Sequence, residues 1–381
     1  MAASSSNDSS SSGSGGGSSS TSSGSSTGSA SDKLTATINQ AAVNQAIQNQ
    51  SNGTITLNVN AGSGINQITV DIPLSTLANL DSSITHVKLQ AGDVSVTLPV
   101  EVLKSYIDNK TKNIQWIITK VANTANRYSV VLNADGKQVT TLSKPAQIEL
   151  AYSLQSGQTP EKLIIRQWNE AISQIIMNSK YNSKSGVMQF ATSTLGTFSI
   201  DYRNVSFNDI AKLTWAKLSI ESLASKGIVT GVTEDKFNPS SNVTRAEFLT
   251  LLMRTFGLTN SEAQATFSDT PSSAWYYSYV ASAQSLGIVN GSTDGKFNPN
   301  AQISRQDMAV MTYQLLTALQ ISLANGNQQA YADADQISGY ALEAIRALSQ
   351  AGIMQGNNNN FAPKGSATRA EAAVLIYNLI K

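Results

Sequence analysis

Between about Lys33 and Arg203, apolar and polar residues alternate with a period of two. ITVDIPL (68–74), VSVTLPV (94–100), YSVVLNA (128–134) and VMQFATS (187–193) each turn one face to a core and predict strands. Asp135-Gly136 predicts a hairpin turn after the third of them. TVDIPLSTLANL (69–80) and SVTLPVEVLKSY (95–106) echo each other 26 residues apart (95 − 69), each a strand, a proline and a short helix-like piece. A proline closing a strand predicts protection of a sheet edge. The expectation is a β-rich, sandwich-like domain over 33–203.

From about Val205 to Lys381 the period becomes helical and a long repeat appears. Asp209, Asp269 and Asp333 recur at spacings of 60 (269 − 209) and 64 (333 − 269). Phe237, Phe297 and Phe361 keep the same spacings, as do Pro239, Pro299 and Pro363, and Arg245, Arg305 and Arg369. Four residue types in register across three copies define a repeat, with boundaries at 204–262, 263–326 and 327–381.

In the first copy, WAKLSIESLASKG predicts a helix ending at Gly227. KFNP predicts a turn. Thr244 then caps a second helix, and Glu247 three residues on completes a capping box worth about 1 kcal/mol. Phe248, Leu251, Leu252 and Thr255 fall on one face of it. Arg245 at the first helical position has no such local reason, because the helix dipole mildly opposes a cation there. Its guanidinium fork, beside free helix amides, suits a carboxylate or similar anion.

Residues 2–31 are almost wholly Ser, Gly, Thr and Ala and offer nothing to bury, so 1–32 is expected to be a disordered Ser/Gly-rich linker. Its glycines follow no strand and open no helix, which excludes a phosphate loop. The whole chain is therefore expected to be multi-domain: the tether, the β-rich domain and three helix-loop-helix repeats dominated by α structure.

Composition narrows the chemistry. A formal net charge of +1 with 13% charged residues excludes the basic field of non-specific nucleic-acid binding. With no cysteine there are no disulfides, thiolate metal sites or cysteine nucleophiles. No apolar run reaches the roughly 18 residues of a membrane span. His86, the only histidine, lacks a partner His or Cys, and STDGK (292–296) and DAD (333–335) lack the alternating ligands of a calcium loop. No metal or cofactor is expected. Asp71, Asp93 and Glu101 lie near strand ends without a motif and read as solvated acids, although carboxylate pairs for glycoside hydrolysis meet only in the fold.

The repeat resembles the S-layer homology (SLH) motif. That motif runs from an F-x-D opening near a Trp, through a G-[IV]-[IV]-x-G turn and F-x-P, to T-R-x-E. Here the copies read FNDIAKLTWA, GIVTG, FNP and VTRAE; FSDTPSSAWY, GIVNG, FNP and ISRQD; YADADQISGY, GIMQG, FAP and ATRAE. The resemblance implies a pseudo-trimer built from one chain that holds bacterial surface proteins to secondary cell-wall polysaccharide, a peptidoglycan-linked polymer often carrying pyruvate ketals. It places ligand in grooves between repeats. Arg245, Arg305 and Arg369 would face the ketal carboxylate or nearby sugar oxygens. Asp209, Asp269, Asp333, Gly231, Gly291 and Gly356 would line the grooves, and Trp215 and Trp275 would stack on sugar or pack. From the residues alone, core packing is the better reading for the tryptophans, and a helix N-terminal cap weighs equally with ligand contact for Asp209. The third copy departs, with Gly339 in place of the Trp and its turn glycines one residue late, and the second has Gln306 and Asp307 in place of Ala and Glu. The three grooves are therefore expected to differ.

SKYNSKSGVMQFATSTLGTFSIDY, before the first repeat, resembles a domain that precedes SLH triplets in Paenibacillus-like surface proteins. The resulting expectation is a non-catalytic, secreted cell-wall protein, anchored to pyruvylated wall polysaccharide and open to S-layer self-association. The alternative is an SLH-anchored surface hydrolase or adhesin whose activity lies in 33–203. Such a protein must be exported, yet the chain opens without a charged n-region and apolar h-region. A leader already removed, or a start assigned late, is the expectation.

Overall fold

The structure is a computed structural model and describes residues 32–327 and 330–381. The tether expected over 1–32 lies, but for Asp32, outside the described residues.

The β-rich region is two sheets over one core. The first runs Lys33–Thr37, Gln67–Pro73, Asn113–Lys120, Arg127–Ala134, Gly196–Tyr202, Leu163–Asn169, Ile172–Ile176, with Lys137–Val139 added to Arg127–Ala134. The second runs Lys180–Asn182, Val187–Thr194, Thr141–Ala151, Val94–Pro99, His86–Ala91, Thr54–Val59. Alternation decides which residues enter the core between them. Phe198 of the first sheet and Phe190 of the second, both buried, meet with ring centroids 4.9 Å apart.

The prolines do not guard edges as the sequence suggested. Pro73 and Pro99 end strands that lie inside their sheets, and each starts a helical turn, Leu74–Leu77 and Val100–Asp108. A missing N–H costs nothing at the first turn of a helix, where that donor is unpaired in any case. Two parallel pairs escaped the pattern, Lys33–Thr37 with Gln67–Pro73 and Thr54–Val59 with His86–Ala91.

Among the described residues eight α-helices follow in chain order: α1 (Gln40–Gln48) and α2 (Val100–Asp108) belong to the sandwich domain. The repeats hold α3 (Lys217–Ser225) and α4 (Arg245–Thr255), α5 (Tyr277–Ser285) and α6 (Arg305–Ala318), and α7 (Leu342–Gln350) and α8 (Arg369–Ile380). Capping boxes form at Thr244/Glu247 and Thr368/Glu371, and Ser304 caps α6 by accepting from the Asp307 amide. Gly227, at φ +73°, ends the first helix in the left-handed region as expected.

The first helix of each repeat packs on the second helix of the repeat before it, so α5 lies on α4 and α7 on α6, and α3 closes the circle on α8. Backbone bonds at the centre close in the same sense. Val243 N–H donates to Ala367 O, Ala367 N–H to Ile303 O, and Ile303 N–H to Val243 O. The sandwich is joined to the first repeat through α3. Ser222 Oγ donates to Glu161 O, and Arg203 Nη1 donates to the carbonyls of Ala224 and Ser225 at 3.1 Å each. Lys162 and Glu221 form a buried ion pair at 2.7 Å across this junction.

Candidate wall-polymer grooves

Each arginine at a helix start leans across to the next repeat. Arg245 Nε donates to Phe297 O at 2.9 Å, Arg305 Nε to Phe361 O at 2.8 Å, and Arg369 Nε to Phe237 O at 3.0 Å. The guanidinium carbons stand 5.3, 5.1 and 4.5 Å from the centroids of the same phenylalanine rings, within cation–π range. Sequence reasoning found no structural reason for these arginines. There is one: they clamp repeat to repeat, through a partner that no local pattern reveals.

The clamps are not equivalent beyond that bond. Arg305 also pairs with Glu371 at 2.6 Å and donates to Gln355 O, so all three nitrogens are engaged. Arg245 pairs with Asp307 at 3.5 Å, and the Tyr340 hydroxyl donates to that carboxylate at 2.8 Å. Arg369 donates to Thr230 O but forms no ion pair among the described residues.

The aspartate side chains cap no helix, although Asp333 stands at the N-cap of the 3-10 turn Ala334–Gln336 without a side-chain bond there. Asp209 accepts from the amides of Phe237 and Asn238, Asp269 from Phe297 and Asn298, and Asp333 from Phe361 and Ala362, all at 2.7–3.0 Å. Each carboxylate holds the F-x-P turn, whose middle residue is left-handed at φ +60°, +59° and +56°. At Ala362 that conformation is strained. Burial raises the Asp333 pKa, but the two amides more than offset it and leave the carboxyl below its usual range. A depressed folded-state pKa contributes stability above the unfolded value near ~4 and loses it as pH falls through the folded value. The urea midpoint of the triplet is therefore expected to drop as pH is lowered from 7 through that range, and Asp333→Asn should flatten the drop. An unchanged pH profile in that variant would count against the turn-holding role.

The turn glycines answer to their own repeats. A Cβ on Gly231 would stand 2.6 Å from the Phe207 ring and 2.3 Å from Thr233 O, and one on Gly356 2.6 Å from the Tyr331 ring. Gly291 meets Phe267 in the same way at 2.5 Å. Core packing of the tryptophans is overturned: Trp215 is 56% and Trp275 62% exposed, since the residues following them, not the indoles, enter the core. Trp275 lines a cavity of about 200 Å³ with Arg369, Phe237 and α4. Trp215 lines a larger one of about 950 Å³ with Arg305, Phe361 and α8. In the Arg245 groove the aromatic comes from the third repeat as Tyr340, beside the Gly339 that replaces Trp. Sequence comparison of the copies did not pick out Tyr340, because it is one position out of register.

Three helix pairs closed into a ring, with an arginine and an exposed aromatic in the grooves, make a repeat-built module. The S-layer homology domain family matches residues 206–249, 266–309 and 330–373. The chain thus carries three S-layer homology domains and is an S-layer homology protein of the cell surface or wall. It is 33% identical over 270 residues to an amylopullulanase of Thermoanaerobacterium thermosulfurigenes, covering 69% of this chain and 14% of that protein. It is 39% identical over 184 residues to the exoglucanase XynX of Acetivibrio thermocellus, covering 47% of this chain and 16% of that protein. The S-layer protein sap of Bacillus anthracis is 31% identical over 176 residues, 45% of this chain and 21% of that protein. The chain thus spans under a quarter of each of these relatives. The expectation of a non-catalytic protein is overturned by relatives named amylopullulanase, exoglucanase, endoglucanase and xylanase. No described helix is long and apolar enough to cross a membrane.

Proposed function

We propose that this chain holds a polysaccharide-degrading activity at the cell wall, with the triplet as anchor and the 33–203 sandwich as the carbohydrate-active part. The observation that carries this is the reach of the amylopullulanase match. It covers 69% of the chain, more than the 176 residues from Ser206 to Lys381 (381 − 206 + 1), so it extends into the sandwich. The anchor works as a three-fold pseudo-trimer exported with the chain. Its grooves take secondary cell-wall polysaccharide, with Trp215 and Trp275 stacking on sugar faces and the arginines meeting oxygens or acidic substituents. The aspartates and turn glycines act by holding the groove walls. In the sandwich, a cleft of about 330 Å³ brings Asp93, Tyr128 and Lys120 together beside the 61–66 loop. The Tyr128 hydroxyl donates to Asp93 at 3.2 Å, and burial and that carboxylate raise its pKa.

The chain is expected to co-sediment with wall sacculi and to lose this when the secondary polymer is stripped. A glycan screen with the same protein should give turnover that Asp93→Asn abolishes. Sedimentation with stripped sacculi would remove the anchoring reading. Absence of both turnover and glycan binding by the sandwich would remove the second.

A further inference from the structure

The second repeat departs from its neighbours at one turn. The turn segments read GIVTG, GIVNG and GIMQG, so Thr230, Asn290 and Gln355 hold the same place before the closing glycine. In two copies the backbone carbonyl of that residue belongs to a clamp. Thr230 O accepts from Arg369 Nη2 at 2.9 Å, and Gln355 O from Arg305 Nη2 at 3.0 Å. Among the described residues, Arg245 donates to Phe297 O and pairs with Asp307 at 3.5 Å, but makes no bond to Asn290 O. The turn is also wound differently there: Gly291 is left-handed at φ +71°, and Gly231 and Gly356 lie outside that region.

An asparagine followed by glycine is able to cyclise on itself, because no Cβ shields the glycine nitrogen. At Asn290–Gly291 both reacting groups are uncommitted. Asn290 and Gly291 are exposed, and among the described residues neither the Asn290 side chain nor the Gly291 N–H has a hydrogen-bond partner. The sequence holds two other Asn-Gly pairs, Asn52–Gly53 and Asn325–Gly326. The first is locked in a hairpin turn, with Asn52 at φ +49° and Gly53 at φ +72°. Ser51 and Thr54 exchange both backbone bonds around it, and the Gly53 N–H donates to Gln50 Oε1 at 3.0 Å. The second lies in the link between the second and third repeats, and its Gly326 N–H has no acceptor among the described residues.

We propose that Asn290 is a self-modifying residue, which converts in the folded protein to an acid that Arg245 takes up. The Gly291 amide nitrogen gives its proton to hydroxide and attacks Cγ of Asn290. The N–Cγ bond forms as the Cγ–Nδ2 bond breaks, and ammonia leaves. Water then opens the five-membered succinimide at either carbonyl, giving aspartate or isoaspartate, each with one free carboxylate. Nothing is oxidised or reduced. The other two turns do not follow: Thr230 has no amide, and Gln355 would have to close a six-membered ring, which is far slower. By register the new carboxylate stands where the carbonyls of Thr230 and Gln355 meet their arginines, so it supplies Arg245 with an acceptor it lacks. The conversion does not depend on what the groove binds.

The test is to age the folded full chain in mildly alkaline buffer and map its tryptic peptides by mass spectrometry. The peptide Thr255–Lys296 should gain the mass of an amide exchanged for an acid, with fragment ions placing the change at position 290. Conversion should run at least several-fold faster at Asn290 than at Asn52, with Asn325 as the reference for an open pair. In denaturant the three pairs should convert alike, because the hairpin that protects Asn52 is gone. Asn290→Gln installs the residue of the third repeat and should stop the change. The fate of the charge is read by thermal unfolding. Asn290→Asp should melt higher than the parent at neutral pH, and the gain should fade as pH falls through the carboxylate range near ~4. Arg245→Gln should remove that gain in a double-mutant cycle. Conversion at Asn290 no faster than at Asn52, or an Asn290→Asp chain that melts at or below the parent, would overturn the proposal.

Discussion

A chain ending at Gly326 will not hold the first two repeats folded. The ring has no free end: α3 of the first repeat packs on α8 of the third, so deleting 327–381 strips one wall from a helix that carries the fully buried Ile220 and Leu223. At the same stroke Arg305 loses Phe361 O, Gln355 O and Glu371, and Val243 N–H loses Ala367 O at the centre. Two buried aliphatic side chains alone are worth roughly 3–6 kcal/mol, and an arginine left without its acceptors adds about 1–3 kcal/mol. That total rivals the whole stability of a small domain, about 5–15 kcal/mol. In a row of stacked repeats, losing the last unit would cost one interface; in a closed ring it costs two. The expected result is loss of the helical circular-dichroism signal from 204–326, with the sandwich signal kept because its core is a separate cluster. A truncated chain whose two repeats still melt cooperatively would show that the ring is not the folding unit.

Local rules were legible in the residues and closure was not. The strands at 68–74, 94–100, 128–134 and 187–193 appear where alternation put them, within a residue or two at their ends. Both capping boxes form because they depend on residues three apart. By contrast, Arg369 finds Phe237 O across 132 residues, and nothing near either one reveals the other. The aspartates sit between these cases. Their separation of 28 from the turn phenylalanine is constant in all three copies (237 − 209, 297 − 269, 361 − 333). That regularity marks a contact, yet only the fold shows that the partner is a backbone amide and not a sugar. The tryptophans failed for a simpler reason. Helical spacing says that Trp215 and Ala216 differ in facing, but not which of them is inside. In the sandwich, Thr141–Ala151 ran unseen because Pro145 breaks its pattern. The register shifts there, with Thr192 opposite Ala146 and Thr194 opposite Thr141.

The second large effect is expected at the joint between sandwich and ring. Glu221→Ala should lower stability by about 3–5 kcal/mol, because it strands the Lys162 ammonium in a buried site. Lys162 and Glu221 side chains are only 9% and 8% exposed, and the remaining acceptor for the ammonium is Asn204 Oδ1 at 2.7 Å. A neutral amide oxygen cannot replace a carboxylate in that setting, since the cation has lost most of its water. A second buried cation sharpens the point: Lys226 donates to Ser179 O and forms no ion pair among the described residues, and burial pushes its pKa down to about 8. The junction already carries one uncompensated lysine, and Glu221→Ala gives it another. The paired change Lys162→Met with Glu221→Leu should recover most of the loss, because apolar residues of similar size substitute well for a buried ion pair. The four proteins form a double-mutant cycle read by thermal unfolding. The Glu221→Ala protein should show the ring and sandwich melting apart, since α3 is the element both share. A single coincident transition, or a paired variant no more stable than Glu221→Ala, would mean that the junction is held by the Arg203 and Ser222 contacts and not by the ion pair.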